Sequence, residues 1–198
     1  MKELEYKFVL RKDELDQIES CLCNGTPRHI SQTNYYYDTE DYLFDKSGVT
    51  CRIREKNNKL TGTLKIHGKV VANSNIEIPF KVDKVSNILR IDDIELKLMG
   101  ALHTKRKIYT FSSGLKVMLD ENSYLGKTDC ELELEFTEEN KKSADKFMDE
   151  IEFSLFQYSM MSGFDSSYCI NDTPKTKSER FMTICRKNNA STLRIEVK

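Results

Sequence analysis

The stretch CELELEF, residues 130–136, sets three glutamates, Glu131, Glu133 and Glu135, between apolar neighbours. Because successive side chains of a β-strand point to opposite faces, a strand here would carry carboxylates on one face and apolar side chains on the other. Three like charges at this spacing repel one another unless positive charge lies between them. The stretch therefore predicts a strand whose acidic face is either exposed to solvent or neutralised by positive charge.

The first ten residues, MKELEYKFVL, alternate in the same way, with Glu3, Glu5 and Lys7 on one face. Other segments of the chain alternate in the same way and are separated by turn residues, a pattern that is typical of β-strands. Together these segments are 2–10, 33–38, 49–55, 60–67, 74–82, 104–112, 115–121 and 129–137. That number of strands closes a small antiparallel barrel. We therefore predict an α+β fold in which a closed antiparallel β-barrel of about eight strands carries helices packed outside.

Helical spacing of apolar residues appears in three places. The first is 13–24, with Asp13 as N-cap and Gly25 as the stop. The others are 140–157 and a short C-terminal helix beginning at Ser178. Between 86 and 101 the period is ambiguous, and a helix is predicted there as well.

Length and composition indicate one domain, 1–198, whose C-terminal helical segment, 140–198, packs on the barrel. The 31 basic and 32 acidic residues give a net charge of −1, so a strongly basic surface for duplex nucleic acid is not expected. The charged N-terminus and the lack of a long apolar run favour a cytoplasmic protein with no membrane partner. Scattered cysteines and isolated histidines disfavour a zinc site or a Cys/His nucleophile.

Nearly every predicted strand carries charge on one face, and two interpretations are open. Such alternation usually indicates that the charged face of an antiparallel sheet is exposed to solvent. If the charged faces point inward instead, each buried ion loses hydration and must be neutralised. A polyanion with hard cations does this, since Arg and Lys bind phosphate oxygens while Asp and Glu bind Mg²⁺ or Mn²⁺. The inward set would be Lys7, Arg52, Arg54, Lys65 and Arg106 with Glu3, Glu5, Glu77, Asp120, Glu131, Glu133 and Glu135.

The order of these motifs resembles the CYTH family, also called the triphosphate tunnel metalloenzymes, over essentially the whole chain. The family hallmark E-x-E-x-K is present at residues 3–7. The motifs that follow it are YYYDT at 35–39, CRIRE at 51–55, TLKI at 63–66, IEIPF at 76–80, TKRK at 104–107, LD at 119–120, YLGKTDCELELEF at 124–136 and KTKSERF at 175–181.

The resemblance implies a tunnel-forming barrel that binds a triphosphate and uses Mg²⁺ or Mn²⁺. It implies a metal-binding set of Glu3, Glu5, Asp120, Glu131 and Glu133. The substrate-binding set would be Lys7, Arg52, Arg54, Lys65, Arg106 and Lys177. Lys65, Glu77 and Asp120 would act in catalysis.

The predicted activity is metal-dependent hydrolysis of inorganic tripolyphosphate or an organic triphosphate. The first alternative is a class IV-type adenylate cyclase, which makes cyclic AMP and pyrophosphate from ATP. A phosphatase needs only the tunnel, whereas a cyclase also needs base recognition. The second alternative is a polyphosphate- or nucleotide-binding module without activity. The many carboxylates argue against it, because a pure anion binder has no use for them. The protein is expected to be a monomer or homodimer acting on a small-molecule substrate.

Overall fold

The computed structural model describes residues 4–22, 25–67, 76–162 and 175–196. Its strands are β1 (Leu4–Leu10), β2 (Arg28–Asp38), β3 (Val49–Lys56), β4 (Lys59–Ile66), β5 (Ile76–Phe80), β6 (Ile88–Ile91), β7 (Ile94–Thr110), β8 (Lys116–Tyr124) and β9 (Lys127–Phe136). Its helices are α1 (Lys12–Cys21), α2 (Leu43–Lys46), α3 (Lys141–Ser162) and α4 (Lys177–Glu196), with a 3-10 turn at Glu138–Asn140. No helix within these residues is long and apolar enough to cross a bilayer.

All eight predicted strands are present, but the helix predicted at 86–101 is wrong. That region holds β6, the start of β7 and the turn that joins them. Ile91 pairs with Ile94 across the turn, and Asp92 adopts a φ of 51°. Asp tolerates this left-handed conformation better than most residues, so the Asp-Asp pair reverses the chain where the apolar period was ambiguous.

The predicted closed barrel is also wrong. The nine strands follow the order β1-β9-β8-β7-β2-β3-β4-β5, with β6 paired to β7. Strands β1 and β5 end this order, and no hydrogen-bonded ladder joins them within the described residues. The alternating pattern identifies strands but not their partners. The five-residue strand β5 is mostly exposed and provides an edge rather than a closing partner.

The chain divides into two compact units that interleave along the sequence. The first comprises Met1–Ile30, Lys105–Asn122 and Thr128–Pro174, and the second comprises Ser31–Thr104, Ser123–Lys127 and Lys175–Lys198. Each unit has its own buried apolar side chains. The expectation of a single domain over 1–198 stays a prediction.

In the first unit, α1 and α3 pack on the apolar face of β9. Leu15 and Ile18 of α1 join Leu132 and Leu134 of β9 in one cluster, to which α3 adds Ile151. The predicted apolar stripe of α1 is therefore confirmed, although the helix begins and ends earlier than expected. Its N-cap is Arg11 rather than Asp13, and the helix ends at Cys21 rather than at Gly25.

In the second unit, β2 has apolar neighbours on both faces. Tyr36 on one face packs against Phe181 of α4, with ring centroids 4.8 Å apart, while Tyr37 on the other face packs with Ile53. Helix α4 begins at a capping box, since the Thr176 N–H donates to Glu179 Oε2 and the Glu179 N–H donates to Thr176 Oγ1.

Candidate functional site

The acidic face of β9 is buried, not solvated. Glu131 is 0% exposed and Glu133 is 7% exposed. Asp120 of the neighbouring strand β8 is also 0% exposed. Ligand oxygens of these three carboxylates lie within 4.8 Å of one another. We call Asp120, Glu131 and Glu133 the carboxylate cluster.

Two cations neutralise the carboxylate cluster within the first unit. Arg106 of β7 donates from Nε and Nη2 to the two oxygens of Asp120, both at 2.6 Å, and from Nη2 to Glu133 at 2.6 Å. Burial lowers the pKa of Arg106, but the hydrogen bonds and charges of Asp120 and Glu133 outweigh it, so the net pKa is raised. The guanidinium is therefore permanently charged.

Lys7 is the second cation, and the register of β1 on β9 places it directly opposite Glu133. Its Nζ lies 3.3 Å from Glu133 and 3.9 Å from Glu131. It also lies 3.2 Å from Glu5, whose side chain is 54% exposed. Lys7 thus contacts both the buried carboxylates and the half-exposed carboxylate of Glu5.

The carboxylate cluster suits a hard divalent cation. It offers oxygen ligands and no sulfur or imidazole, which is the donor set that Mg²⁺ and Mn²⁺ prefer. The same oxygens are held by Arg106 and Lys7, so a metal would compete with these two side chains. Of the five predicted metal ligands, the structure brings together Asp120, Glu131 and Glu133. Glu5 lies outside the cluster, and Glu3 lies outside the described residues.

The second unit carries a basic face on β3 and β4. Arg52 and Arg54 share one face of β3, and Lys65 of β4 belongs to the same face, because it pairs with Thr50 of β3. Glu77 of β5 lies 3.6 Å from Lys65 and 3.9 Å from Arg52, and its side chain is 50% exposed. Nε of Arg52 is buried and has no hydrogen-bond partner among the residues that the structure describes. An unsatisfied cationic donor of this kind fits a bound anion.

The charges that act on Tyr36 show which other cations lie near this face. Tyr36 lies opposite Arg52 in the β2–β3 ladder and is fully buried. Burial raises the pKa of its hydroxyl, whereas the charges of Arg52, Lys177, Arg54 and Arg180 lower it. These four cations are therefore close enough to act on one buried group. Lys177, the first residue of α4 and one of the predicted substrate-binding residues, is among them.

Two further residues near this basic face are not among the predicted site residues. Asn34 is 1% exposed, and its Oδ1 accepts a hydrogen bond from Nε of Arg54 at 2.9 Å. It orients the guanidinium from the directly opposite position on β2. In the alternating segment 33–38, Asn34 and Tyr36 lie on the same face, and this feature of the sequence could have indicated the role of Asn34. The second is Arg180, which lies within the KTKSERF segment at 175–181 and acts on Tyr36.

The chain is similar to several known proteins. The CYTH domain matches residues 1–168. A relative from Bacillus subtilis (strain 168), named "Putative triphosphatase YjbK", is 29% identical over 173 residues, covering 78% of this chain and 88% of the relative. A solved structure from Bacillus halodurans, described as a "putative adenylate cyclase", is 24% identical, covers 91% of this chain and 99% of its own, and superposes with a TM-score of 0.65.

A second solved structure comes from Hippeastrum and is described as a "putative adenylyl cyclase" with a dominant triphosphatase activity. It is 23% identical, covers 76% of this chain and 88% of its own, and gives a TM-score of 0.58. At these identities both structures show a shared fold. The family match spans most of the chain and includes the strands that carry both charged faces. As its ordered motifs predict, the chain belongs to the CYTH family.

Proposed function

We propose that the protein is a divalent-metal-dependent triphosphatase that hydrolyses inorganic tripolyphosphate or an organic triphosphate. The buried carboxylate cluster is the observation that carries this proposal. Burying three carboxylates is costly unless cations neutralise them, as Arg106 and Lys7 do in the structure, and a protein that only bound anions would not need a buried acidic set. The triphosphatase name of the Bacillus subtilis relative supports the same activity.

The first unit would hold the metal. Asp120, Glu131 and Glu133 would be its ligands, with Glu5 beside them and Glu3 contributing as the family pattern implies. A bound Mg²⁺ or Mn²⁺ would supply charge neutralisation and Lewis acidity at the phosphoryl oxygens. Lys7 and Arg106, which neutralise the carboxylates in the structure, would then be available to phosphate oxygens.

The basic face of the second unit would bind phosphate. Arg52, Arg54, Lys65 and Lys177 offer donors that match phosphate oxygens, and Arg52 already has one unsatisfied donor. In the reaction, a water oxygen attacks the terminal phosphorus, the bond from that phosphorus to the bridging oxygen breaks, and diphosphate leaves. Charge develops on the leaving diphosphate, where Lys65 would stabilise it. Asp120 or Glu77 would orient the water and accept its proton.

The test is phosphate release from tripolyphosphate, thiamine triphosphate and ATP with Mg²⁺, Mn²⁺ or EDTA. Cyclic AMP is measured in the same ATP reactions, which separates hydrolysis from the predicted alternative of cyclisation. We expect metal-dependent phosphate release and no cyclic AMP. An absence of turnover with every substrate and both metals would contradict the proposal.

A matched pair of variants on β9 tests the assignment of the carboxylate cluster. Glu133→Gln removes a buried cluster charge and should lower metal-dependent turnover by about tenfold or more. Glu135→Gln lies two residues away, where the side chain is 25% exposed and pairs with Lys116, and should retain activity. Equal activity of the two variants would show that the cluster does not hold the metal.

A further inference from the structure

An exposed apolar surface lies on the C-terminal half of α3, in the first unit, and none of the roles assigned above uses it. Its four side chains are between 56% and 89% exposed. They belong to none of the buried apolar clusters in the part of the chain that the structure describes. We call these four residues, Phe153, Phe156, Met160 and Met161, the α3 patch.

The C-terminal half of α3 is apolar on two sides. Ile151 and Leu155 pack into the core of the first unit with β9, whereas Phe153 and Phe156 are more than half exposed. A surface helix normally carries one apolar stripe, and a helix that is apolar all round is normally buried all round. The N-terminal half of α3 follows the usual pattern, since its exposed positions are polar or charged. The α3 patch therefore indicates a second contact on the outer side of the helix.

The spacing of the exposed residues matches that of a seam between two helices. Phe153, Phe156 and Met160 recur at intervals of three and four residues. Lys146 and Asp149 continue the same intervals towards the N-terminus, and all five residues are exposed. Such intervals place side chains along one stripe, which is the a/d pattern of helices packed side by side. The stripe is thus apolar over its last turns and charged before them.

The area of the α3 patch suits an interface between two copies of the chain. If a fully exposed side chain of this size offers about 200 Å², the four exposures amount to about 550 Å² in each copy. A standard interface buries about 800 Å² per partner. The patch would supply about two-thirds of that area, which is the apolar share typical of homodimers and higher than that of transient complexes. Two copies reach this area by apposing the same patch about a two-fold axis.

The charges beside the α3 patch favour one orientation of the two helices. In a parallel pair, Asp149 and Glu150 of one copy would lie against the same residues of the other, and these like charges would repel. In an antiparallel pair, the apolar turns overlap and the charged turns extend past the contact in opposite directions. The same acidic residues disfavour an anionic lipid surface, which interfacial helices bind through Lys and Arg.

We propose that the protein forms a homodimer in which the α3 helices of the two copies pack antiparallel, with Phe156 of one copy against Met160 of the partner subunit. The overlap covers residues 153–161, or about 13 Å of helix, so the dimer should dissociate on dilution. This inference does not depend on the proposed triphosphatase function, because the α3 patch contains no residue of the carboxylate cluster or the basic face.

The experiment measures the oligomeric state by sedimentation velocity over a range of protein concentrations. The wild-type protein should shift from monomer to dimer as the concentration rises. Phe156→Glu would place a carboxylate of each copy in the apolar contact and should raise the dissociation constant about a hundredfold or more. Ile88→Glu is the matched control, because Ile88 of β6 is also about half exposed but lies in the second unit, and it should dimerise like the wild-type protein. Circular dichroism checks that both variants are folded.

Oxidation of methionine by hydrogen peroxide, read by peptide mass spectrometry, shows whether the partner subunit covers the α3 patch. In the wild-type protein, Met160 and Met161 should lose most of their reactivity as the dimer forms. In Phe156→Glu, both should react equally fast at all concentrations.

A wild-type protein that is monomeric at every concentration would overturn the inference. Slow oxidation of Met160 and Met161 in that monomer would show that another segment of the same chain covers the α3 patch. Binding of the monomer to anionic phospholipid vesicles, lost in Phe156→Glu, would assign the patch to a membrane surface. Dimerisation that persists unchanged in Phe156→Glu, or that is lost in Ile88→Glu, would place the interface elsewhere and would also overturn the inference.

Discussion

Replacing Arg106 tests the charge balance of the carboxylate cluster directly. The Arg106 side chain is 16% exposed and holds both oxygens of Asp120 and one oxygen of Glu133. Arg106→Gln would remove the guanidinium from Asp120 and Glu133, while Lys7 would remain 3.3 Å from Glu133. Removing one partner of a buried ion pair costs about 3–5 kcal/mol. For a chain of this size, each kcal/mol lost from the free energy of unfolding lowers the melting temperature by about 2–4 °C. We therefore expect the variant to unfold about 6–20 °C below the wild-type protein.

The assay is thermal unfolding followed by circular dichroism in EDTA. Arg90→Gln is the matched control, because Arg90 pairs with Glu95 at 3.0 Å while its side chain is 77% exposed. An exposed pair of this kind contributes about 0–1 kcal/mol, so the control should unfold within a few degrees of the wild-type protein. If Arg106→Gln behaves like this control, the reasoning about buried charge is refuted.

The same variant tests metal binding. Arg106 occupies the oxygens that a metal would need, so its removal should increase the rise in melting temperature on adding Mn²⁺. Equal Mn²⁺ stabilisation of the variant and the wild-type protein would contradict the placement of the metal at the carboxylate cluster.

Three further predictions address separate parts of the molecule. Burial raises the pKa of the Cys51 thiol to about 12 from 9.0, so at pH 9 iodoacetamide should label exposed Cys21 in the folded protein and Cys51 only after unfolding, as read by peptide mass spectrometry. The unfolded Cys51 thiol ionises first, so its contribution makes stability fall as pH rises from 9 towards 12. Glu77→Gln removes the carboxylate that competes with phosphate for the basic face, so the KM for tripolyphosphate should fall, and kcat should stay within about twofold if Asp120 rather than Glu77 accepts the proton of the attacking water. A loss of kcat would assign Glu77 to the chemical step. Gly62→Ala would set a Cβ 2.3 Å from the Phe80 ring and should cost about 1–3 kcal/mol in urea unfolding, and a cost below about 0.5 kcal/mol would show that the ring moves freely.

Most of the strands could be predicted from sequence, because the pleat gives each strand a period of two that appears directly in the order of residues. CELELEF shows this most clearly, since its apolar side chains lie in a core and its acidic side chains contact the partly buried cations Lys7 and Arg106. The carboxylate cluster was predictable for the same reason. Repulsion among like charges requires neutralising cations. The alternating segments 2–10 and 104–112 each place such a cation, Lys7 and Arg106, on their charged face.

The remaining features depend on contacts between distant residues. Strand partners are set by long-range packing, so the number of strands suggested a closed barrel where β1 and β5 remain ends of the order. Asp92 reverses the chain by its own backbone conformation, which leaves no trace in hydrophobic periodicity. Asn34 is an uncharged amide whose role follows only from its position opposite Arg54.

The pairing of β1 with β9 has a consequence for protein synthesis. Tyr6 donates a hydrogen bond to Asp145 across 139 positions of sequence. The β3–β4 hairpin, by contrast, turns through Asn57 and Asn58, with φ of 51° and 58°, and can form as soon as it leaves the ribosome. Once this hairpin has left the ribosome it carries Arg52 and Lys65, whereas Lys7 still awaits Glu133. The strands that carry the basic face thus form early in translation, and the carboxylate cluster is complete only after β9 has been made.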